Sequence, residues 1–197
     1  MCPGSDLMPK AIINDPNVIN IITTALLNVQ NDYVTVNPEW DNGTRSYVVL
    51  EAKSSVMSHP PIIIEIQHTI NSLFIKRFIN YSLEAFKRYN LDPIVPIVCT
   101  DALSDYVAKN VKSSNIPSCN DFPSTGWASR CLIVSKACIQ ESIDTIPVDP
   151  FVALNLFLTS RAVTINDTLY ADDYTIQFLY ILTLKKTSNS ARRSIYW

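Results

Sequence analysis

Glycine is scarce in this chain, which has only 3 glycines among its 197 residues. Loops that hold a phosphate group with backbone amides need closely spaced glycines, because a Cβ atom would block the approach of the ligand. A glycine-rich phosphate-binding loop is therefore not expected. Proline is plentiful by comparison, with 12 residues. Since proline ends helices and strands sharply, the composition predicts regular elements with abrupt ends.

The chain also lacks an excess of positive charge. Its 16 Lys and Arg residues are outnumbered by 18 Asp and Glu residues, which gives a formal net charge of −2. A protein that binds nucleic acid or an anionic membrane through its overall field is strongly basic. Any contact with nucleic acid must therefore depend on a local group of basic side chains.

Cysteine and histidine do not form a zinc-binding pattern. The 5 cysteines are scattered, no two of them have the Cys-x-x-Cys spacing, and the chain has only 2 histidines. Structural zinc sites place these ligands in closely spaced pairs. We therefore expect free thiols, mostly buried, in a reducing compartment.

No segment resembles a secretory leader or a membrane span. Residues 1–10 contain neither a basic start nor an apolar run, and no later stretch reaches the ~18 consecutive apolar residues of a spanning helix. The sequence thus predicts an intracellular protein, in the nucleus or the cytoplasm, without membrane contact. The pattern does not specify an oligomeric state.

Hydrophobic periodicity predicts an α/β protein. The length predicts a single domain, residues 1–197, with a core of about 15–100 and a C-terminal extension of about 101–197. The predicted elements of the core are a helix at about 16–29, strands from Tyr33 to Val36, Tyr47 to Ala52 and Ile62 to Gln67, a long helix from Thr69 to Tyr89, and a strand from Ile94 to Cys99. The extension is predicted to be largely helical, with a strand from Leu132 to Val134 and helices from Pro150 to about Thr159 and from Tyr174 to about Lys186.

Turn residues and prolines indicate how these strands are arranged. Asn42-Gly43 lies between the first two strands and predicts a hairpin. The almost continuous apolar run from Ile62 to Gln67 is typical of a strand that is covered on both faces, so we expect it at the centre of the sheet. Pro96 lacks a backbone donor, which suggests that the strand around it lies near a sheet edge or at a bulge.

Two polar side chains interrupt the central strand. Glu65 and Gln67 project to the same face because side chains alternate along a strand. An unpaired buried carboxylate is costly, whereas a divalent cation would keep it ionised, and Gln67 could position water or a phosphate group. Two other interpretations remain open: the strand end emerges into solvent at this point, or Glu65 pairs with Lys76 or Arg77.

Five segments and the order of the predicted elements resemble a known superfamily. The segments run from Pro60 to His68, Arg77 to Tyr81, Leu91 to Val98, Gly126 to Ala128 and Pro147 to Leu154, and they span most of the chain. They are similar to a largely fungal, transposase-associated group of the PD-(D/E)XK nuclease-like superfamily. The resemblance implies a restriction-endonuclease-like core of a helix, a three-stranded hairpin or meander, a long helix and a further strand.

The resemblance also implies a Mg²⁺ site on the predicted central strand. Glu65 would be the metal-binding acid, the carbonyl group of Ile66 would be a further ligand, and Gln67 would replace the lysine of the superfamily motif. A second acid is expected near the start of the preceding strand, where this chain has Ser46 and Tyr47. Tyrosine supplies no anionic oxygen near neutral pH, because its ordinary pKa is about 10. The expected acid is thus lost at Tyr47.

Three other carboxylates could replace the missing acid: Asp32 at the start of the first strand, Asp41 in the following turn, and Glu51 on the same face of the second strand as Tyr47. Glu51 does not simply inherit the position of Tyr47, since four strand residues span about 13 Å. A rival motif from Val48 to Lys53 has the literal acid-x-lysine form and would take Asp32 as its first acid.

These features predict a nuclease-like protein derived from a mobile element, whose ancestral activity is Mg²⁺-dependent hydrolysis of phosphodiester bonds in DNA. Catalysis would depend on Glu65 and Gln67, and Lys76 and Arg77 on the long helix would contact the phosphates of the substrate. The alternative is a non-catalytic domain that keeps the fold and binds nucleic acid or another protein.

Overall fold

A mixed seven-stranded sheet forms the middle of the protein in this computed structural model. The structure describes residues 7–54, 59–143, 146–160, 165–168 and 170–193, with side chains from residue 9 to residue 186 within these ranges. Across the sheet, the strands follow the order β1-β2-β3-β4-β7-β6-β5. They are β1 Tyr33–Val36, β2 Val48–Ala52, β3 Ile62–Ile70, β4 Ile94–Leu103, β5 Lys112–Ser113, β6 Asn120–Phe122 and β7 Arg130–Val134.

Helices cover both faces of this sheet, which confirms the α/β class. Buried residues of four helices (α1, α2, α6 and α7) pack with Leu50, Ile62 and Ile64 on one face. Those of a long helix, α3, pack with Val49 and Ile63 on the other face. Alternating residues of β2 and β3 thus enter two separate cores. The helices are α1 Leu7–Ile13, α2 Pro16–Leu27, α3 Ser72–Tyr89, α4 Asp105–Asn110, α5 Lys136–Glu141, α6 Pro150–Thr159 and α7 Tyr174–Arg193, with a 3-10 helix at Ile165–Asp167.

The strand β3 lies inside the sheet, as its apolar run predicts. It pairs antiparallel with β2, where Val48 lies opposite Ile64, and parallel with β4. β1 and β2 form the predicted antiparallel hairpin. Gly43 in their connection has a φ of 76°, a conformation that glycine adopts without steric cost. The internal position predicted for β3 is therefore confirmed.

The long helix begins later than predicted. The side chain of Asn71 accepts a hydrogen bond from the backbone N–H of Phe74 and caps the first turn, so α3 starts at Ser72. Thr69 instead continues β3 and pairs with Ala102 after a shift in register. At the other end, Asn90 adopts a left-handed conformation with a φ of 53°, so the helix ends at Tyr89, as predicted.

The edge position inferred from Pro96 is wrong, because β4 is an internal strand between β3 and β7. Pro96 itself pairs with Leu132 of β7, and the irregularity of β4 lies further along, where Cys99 pairs with Gln67 but Ala102 pairs with Thr69. In a parallel sheet each backbone N–H points to only one neighbouring strand, so proline removes a single hydrogen bond. Because Pro96 is buried, its ring still packs in the core, and the sheet tolerates proline at this internal position.

The C-terminal half is less purely helical than predicted. It contributes β5, β6 and β7 to the same sheet as the N-terminal strands. The predicted strand from Leu132 to Val134 lies within β7, and α6 has the predicted bounds. Asp149 caps α6, and Asp173 accepts backbone hydrogen bonds from Thr175 and Ile176 at the start of α7. Acidic residues at these caps made both helix starts predictable.

The expectation of free, buried thiols is confirmed for the four cysteines that the structure describes. Burial is the main reason why the pKa of Cys119 rises to about 12, and burial likewise raises the pKa of Cys131. Cys2 lies outside the described residues. None of the helices in the described ranges has the length and apolar character needed to cross a bilayer.

Candidate functional site

Glu65 is a buried carboxyl group on the face of β3 that α3 covers. Glu65 as a whole residue is 7% exposed to solvent. Since Val48 lies opposite Ile64, the next residues on each strand, Tyr47 and Glu65, are also brought together. The backbone N–H of Tyr47 donates a hydrogen bond of 2.8 Å to Oε1 of Glu65. The strand register therefore places a neutral backbone donor against the carboxyl group, at the position where the resemblance implies a second acid.

Burial controls the protonation of Glu65. It raises the pKa of this carboxyl to about 7, against an ordinary value of 4.5, although the Tyr47 N–H, Arg77 and Lys10 each favour the ionised form. Burial wins because a carboxylate that is removed from water loses more hydration than one hydrogen bond and two nearby cations return. Glu65 therefore changes charge close to neutral pH.

Two basic side chains interact electrostatically with this carboxyl group, and a third interacts with one of them. Lys10 comes from α1, and its Nζ lies 5.8 Å from the centre of the Tyr47 ring. Burial lowers the pKa of Lys10, Arg45 lowers it further, and Glu65 raises it. Arg77 comes from α3, where its guanidinium lies over the ring of Phe74. We call Glu65, Tyr47, Lys10, Arg45 and Arg77 the Glu65 cluster.

Glu51 does not complete this cluster. Leu50 lies opposite Ile62, so Glu51 is about four strand residues, or ~13 Å, away from Glu65 along the sheet. It lies instead beside Tyr89 at the end of α3, where burial and the nearby Glu51 raise the pKa of the tyrosine to about 12. The first candidate for the missing acid is therefore at the opposite end of β2.

Asp32 and Asp41 are also placed elsewhere. Asp32 precedes β1, lies next to Lys53 in the hairpin, and its carboxylate is 3.8 Å from Nε2 of His59. Asp41 lies in the turn, 3.7 Å from the guanidinium of Arg88 near the end of α3. The structure brings none of the three candidate acids together with Glu65.

The rival acid-x-lysine motif does not form a site of its own. Nζ of Lys53 donates a hydrogen bond to the backbone carbonyl of Asn31, and Asp32 pairs with His59. Lys53 and Asp32, which would face a substrate in this motif, thus make contacts that hold the open end of the β1–β2 hairpin. A structural role explains them.

The remaining residues predicted at the site differ in their burial and in their contacts. Gln67 is half-buried and lies opposite Cys99 of β4, and Ile66 lies opposite Val98. Lys76 is exposed on α3, next to Arg77. Ser46, the other residue at the expected acid position, is buried and accepts a hydrogen bond of 2.8 Å from Nε1 of Trp40. Its hydroxyl therefore anchors the loop before β2.

The donor set of the Glu65 cluster does not fit Mg²⁺. This ion takes near-octahedral oxygen ligation and is usually bound through one or two carboxylates, whereas the cluster has one carboxyl group beside a backbone donor and three cations. Within the ranges that the structure describes, no group of three or more His, Cys, Asp or Glu side chains is placed to hold a metal ion.

Sequence reasoning missed Lys10 and Arg45. Lys10 belongs to α1, a helix that hydrophobic spacing did not reveal, and Arg45 belongs to an irregular loop. No short motif connects either residue with β3, because only the tertiary fold brings Lys10 near Glu65 and Arg45 near Lys10. By contrast, Arg77 was named both as a partner of Glu65 and as a phosphate contact.

Comparisons of the chain with protein-family models, curated proteins and solved structures found no match.

Proposed function

We propose that this protein is a nuclease-like domain of the PD-(D/E)XK type, derived from a mobile element, that binds nucleic acid at the Glu65 cluster without hydrolysing it. One observation carries the proposal: the only carboxyl group of the cluster, Glu65, accepts the backbone N–H of Tyr47 in place of an acid partner and interacts electrostatically with two cations, Lys10 and Arg77. An ancestral Mg²⁺-dependent activity would have ended with the loss of the acid at Tyr47.

The arrangement of the elements supports the nuclease-like part of this proposal. The chain runs through a helix, the strands β1, β2 and β3, the long helix α3 and the strand β4, in that order. This is the order that the sequence resemblance implies. Glu65 lies on β3, the strand that leads directly into α3, whereas the rival motif lies on β2 and leads into β3 instead.

The charges of the cluster support the binding part. The whole chain has a formal net charge of −2, so a polyanion is not attracted by the overall field. Lys10 and Arg77 nevertheless interact electrostatically with the Glu65 carboxyl group, whose pKa burial raises to about 7, and Arg45 interacts with Lys10. Arginine and lysine contacts to phosphate oxygens supply most of the affinity of non-specific binding to nucleic acid.

Binding to DNA is tested by fluorescence anisotropy with a labelled oligonucleotide, single-stranded and double-stranded, at several salt concentrations. We expect salt-dependent binding without cleavage in the presence of Mg²⁺. Arg77→Gln should weaken it on the order of tenfold, since it removes a charged hydrogen-bond donor to phosphate. Lys87→Gln is the matched control, because Lys87 lies on the same helix and pairs with Glu84.

Two results would contradict the proposed function. Mg²⁺-dependent cleavage that Glu65→Ala abolishes would show an active nuclease. Failure of both DNA forms to bind would favour the alternative of a protein-interaction domain, for which α7 offers the exposed side chains of Tyr174, Ile181 and Leu184.

Restoring the missing acid tests why metal binding was lost. We expect calorimetry to detect no Mn²⁺ binding by the unmodified protein and measurable binding by Tyr47→Asp, because position 47 adjoins Glu65, whose carboxyl group accepts its backbone N–H. Tyr47→Asn is the control, since it has the same shape without the charge. Tight Mn²⁺ binding by the unmodified chain that is lost in Glu65→Ala would show that the second acid lies elsewhere.

A further inference from the structure

Helix α7 has apolar side chains on two opposite sides. The buried residues on its inner side, which pack into the core, are Ile176, Leu179 and Leu182. Its outer side carries Tyr174, Ile181 and Leu184, with exposed fractions of 83%, 51% and 68%. A surface helix of a globular protein usually has polar residues on the side that faces water. The outer side of α7 therefore has the composition of a surface that a partner covers.

The three exposed side chains form a single stripe along the helix, which we call the α7 stripe. Ile181 follows Tyr174 by seven residues and precedes Leu184 by three. With about 3.6 residues per turn, these spacings keep all three side chains within about 80° of the helix circumference. The α7 stripe is ~15 Å long, because each residue of a helix adds about 1.5 Å. It is thus a narrow apolar surface of the kind that pairs with another helix.

The two ends of the α7 stripe carry opposite charges. Asp172 is exposed and lies two residues before Tyr174, whereas Lys186 is exposed and lies two residues after Leu184. Each charge also suits the helix dipole at its own end of α7. The stripe therefore runs from a negative end through an apolar middle to a positive end. Such a pattern is complementary to a reversed copy of itself.

We propose that the α7 stripe binds a second copy of this chain, with the two α7 helices antiparallel around a two-fold axis. The register that places Tyr174 against Leu184 of the second copy also places Asp172 against Lys186 of the second copy, since both pairs share one midpoint. The two Ile181 side chains then lie about 6 Å apart along the helices, beside the two-fold axis. Because the same surface is used on both copies, each of these contacts occurs twice.

A parallel arrangement of the two helices would lose this complementarity. Asp172 would then face Asp172 of the second copy, and Lys186 would face Lys186 of the second copy. Like charges at such distances repel, and the two helix dipoles would also point the same way. The charges therefore select the antiparallel arrangement. The inference does not depend on nucleic-acid binding at the Glu65 cluster.

Sedimentation equilibrium of the full chain between about 1 and about 200 µM tests the proposal. We expect a monomer–dimer equilibrium with half-association on the order of 20 µM, because one pair of helices lies at the low end of interface areas. Ile181→Glu should weaken the dimer by at least about a hundredfold, since it places two unpaired carboxylates beside the two-fold axis. Circular dichroism confirms that the variant is folded, as expected for a side chain that is 51% exposed.

Leu73→Glu is the matched control. Leu73 lies on α3 and is 74% exposed, so this variant removes an exposed apolar side chain and adds the same charge away from the α7 stripe. Lys76 and Arg77 are exposed on that helix, and two copies would repel each other there. Leu73→Glu should therefore associate like the unmodified protein.

Charge reversal tests the antiparallel register. Asp172→Lys and Lys186→Asp should each weaken association on the order of tenfold, because each change replaces two attractive pairs by two repulsive ones. A chain with both substitutions should regain the dimer. An equimolar mixture of the two single variants should also form a heterodimer about as tightly as the unmodified protein associates. Both recoveries require position 172 to face position 186 of the other copy.

Three results would overturn the inference. A monomer at every concentration would leave the α7 stripe to a different occupant. A dimer that Ile181→Glu retains, or that Leu73→Glu disrupts, would place the contact on another surface. Failure of the doubly substituted chain and of the mixture to regain the dimer would contradict the antiparallel pairing. Binding of DNA is measured separately, so each of these results leaves the proposed function in place.

Discussion

The unmodified protein is expected to lose roughly 3 kcal/mol of unfolding free energy between about pH 5 and about pH 8 because of Glu65. Replacing Glu65 with glutamine is expected to remove this loss. Burial raises the pKa of Glu65 in the folded protein to about 7, against 4.5 for an exposed glutamate. Between these two values the folded state binds a proton that the unfolded state releases. The stabilisation is therefore complete below the lower value and is lost as the pH rises through the higher one.

The measurement is chemical denaturation at a series of pH values, with the difference between the unmodified protein and Glu65→Gln as the quantity of interest. The other ionisable groups are common to the two proteins and cancel in this difference. Glutamine preserves the shape of the side chain and its acceptor for the Tyr47 N–H. A difference that is constant with pH would show that Glu65 titrates normally.

Replacing Phe78 with alanine is expected to cost about 3–5 kcal/mol of unfolding free energy, the range typical of a large aromatic residue in a core. Phe78 is 0% exposed. Its ring packs between Phe74, at a centroid distance of 5.8 Å, and Tyr81, at 5.7 Å. It contributes to the core between α3 and the sheet, which also contains Val49 and Ile63.

Phe86 on the same helix provides the control for this prediction, because it is 44% exposed. Phe86→Ala removes the same side chain from the same kind of backbone and should cost less than about 1 kcal/mol. Chemical denaturation of both variants measures the two effects. Equal losses, or a larger loss at Phe86, would mean that α3 presents a different face to the sheet.

The features of the fold that the sequence revealed are those determined by local chemistry. β1 has the predicted bounds because four β-branched or aromatic residues stand between polar ones, and α6 has them because Asp149 and Pro150 define its start. The internal position of β3 followed from its uninterrupted apolar run. These signals lie within a few residues of the element that they specify.

The features that the sequence did not reveal depend on contacts between distant parts of the chain. β5 and β6 contain only two and three residues, too few for a periodic pattern. The internal position of Pro96 depends on β7, which joins the sheet beyond the predicted core. At the site, Glu65 and Arg77 were predicted from one strand and the following helix, whereas only the tertiary fold brings Lys10 near Glu65 and Arg45 near Lys10.

The most direct test of this account is an NMR titration of the Glu65 side-chain carboxyl carbon, identified by its absence from Glu65→Gln, with and without millimolar Mg²⁺. We predict a midpoint at about pH 7 that Mg²⁺ leaves unchanged, since the protein's own donors and cations hold the carboxyl group. A midpoint that Mg²⁺ shifts to lower pH, or one that already lies near the ordinary value of 4.5 without Mg²⁺, would contradict the account.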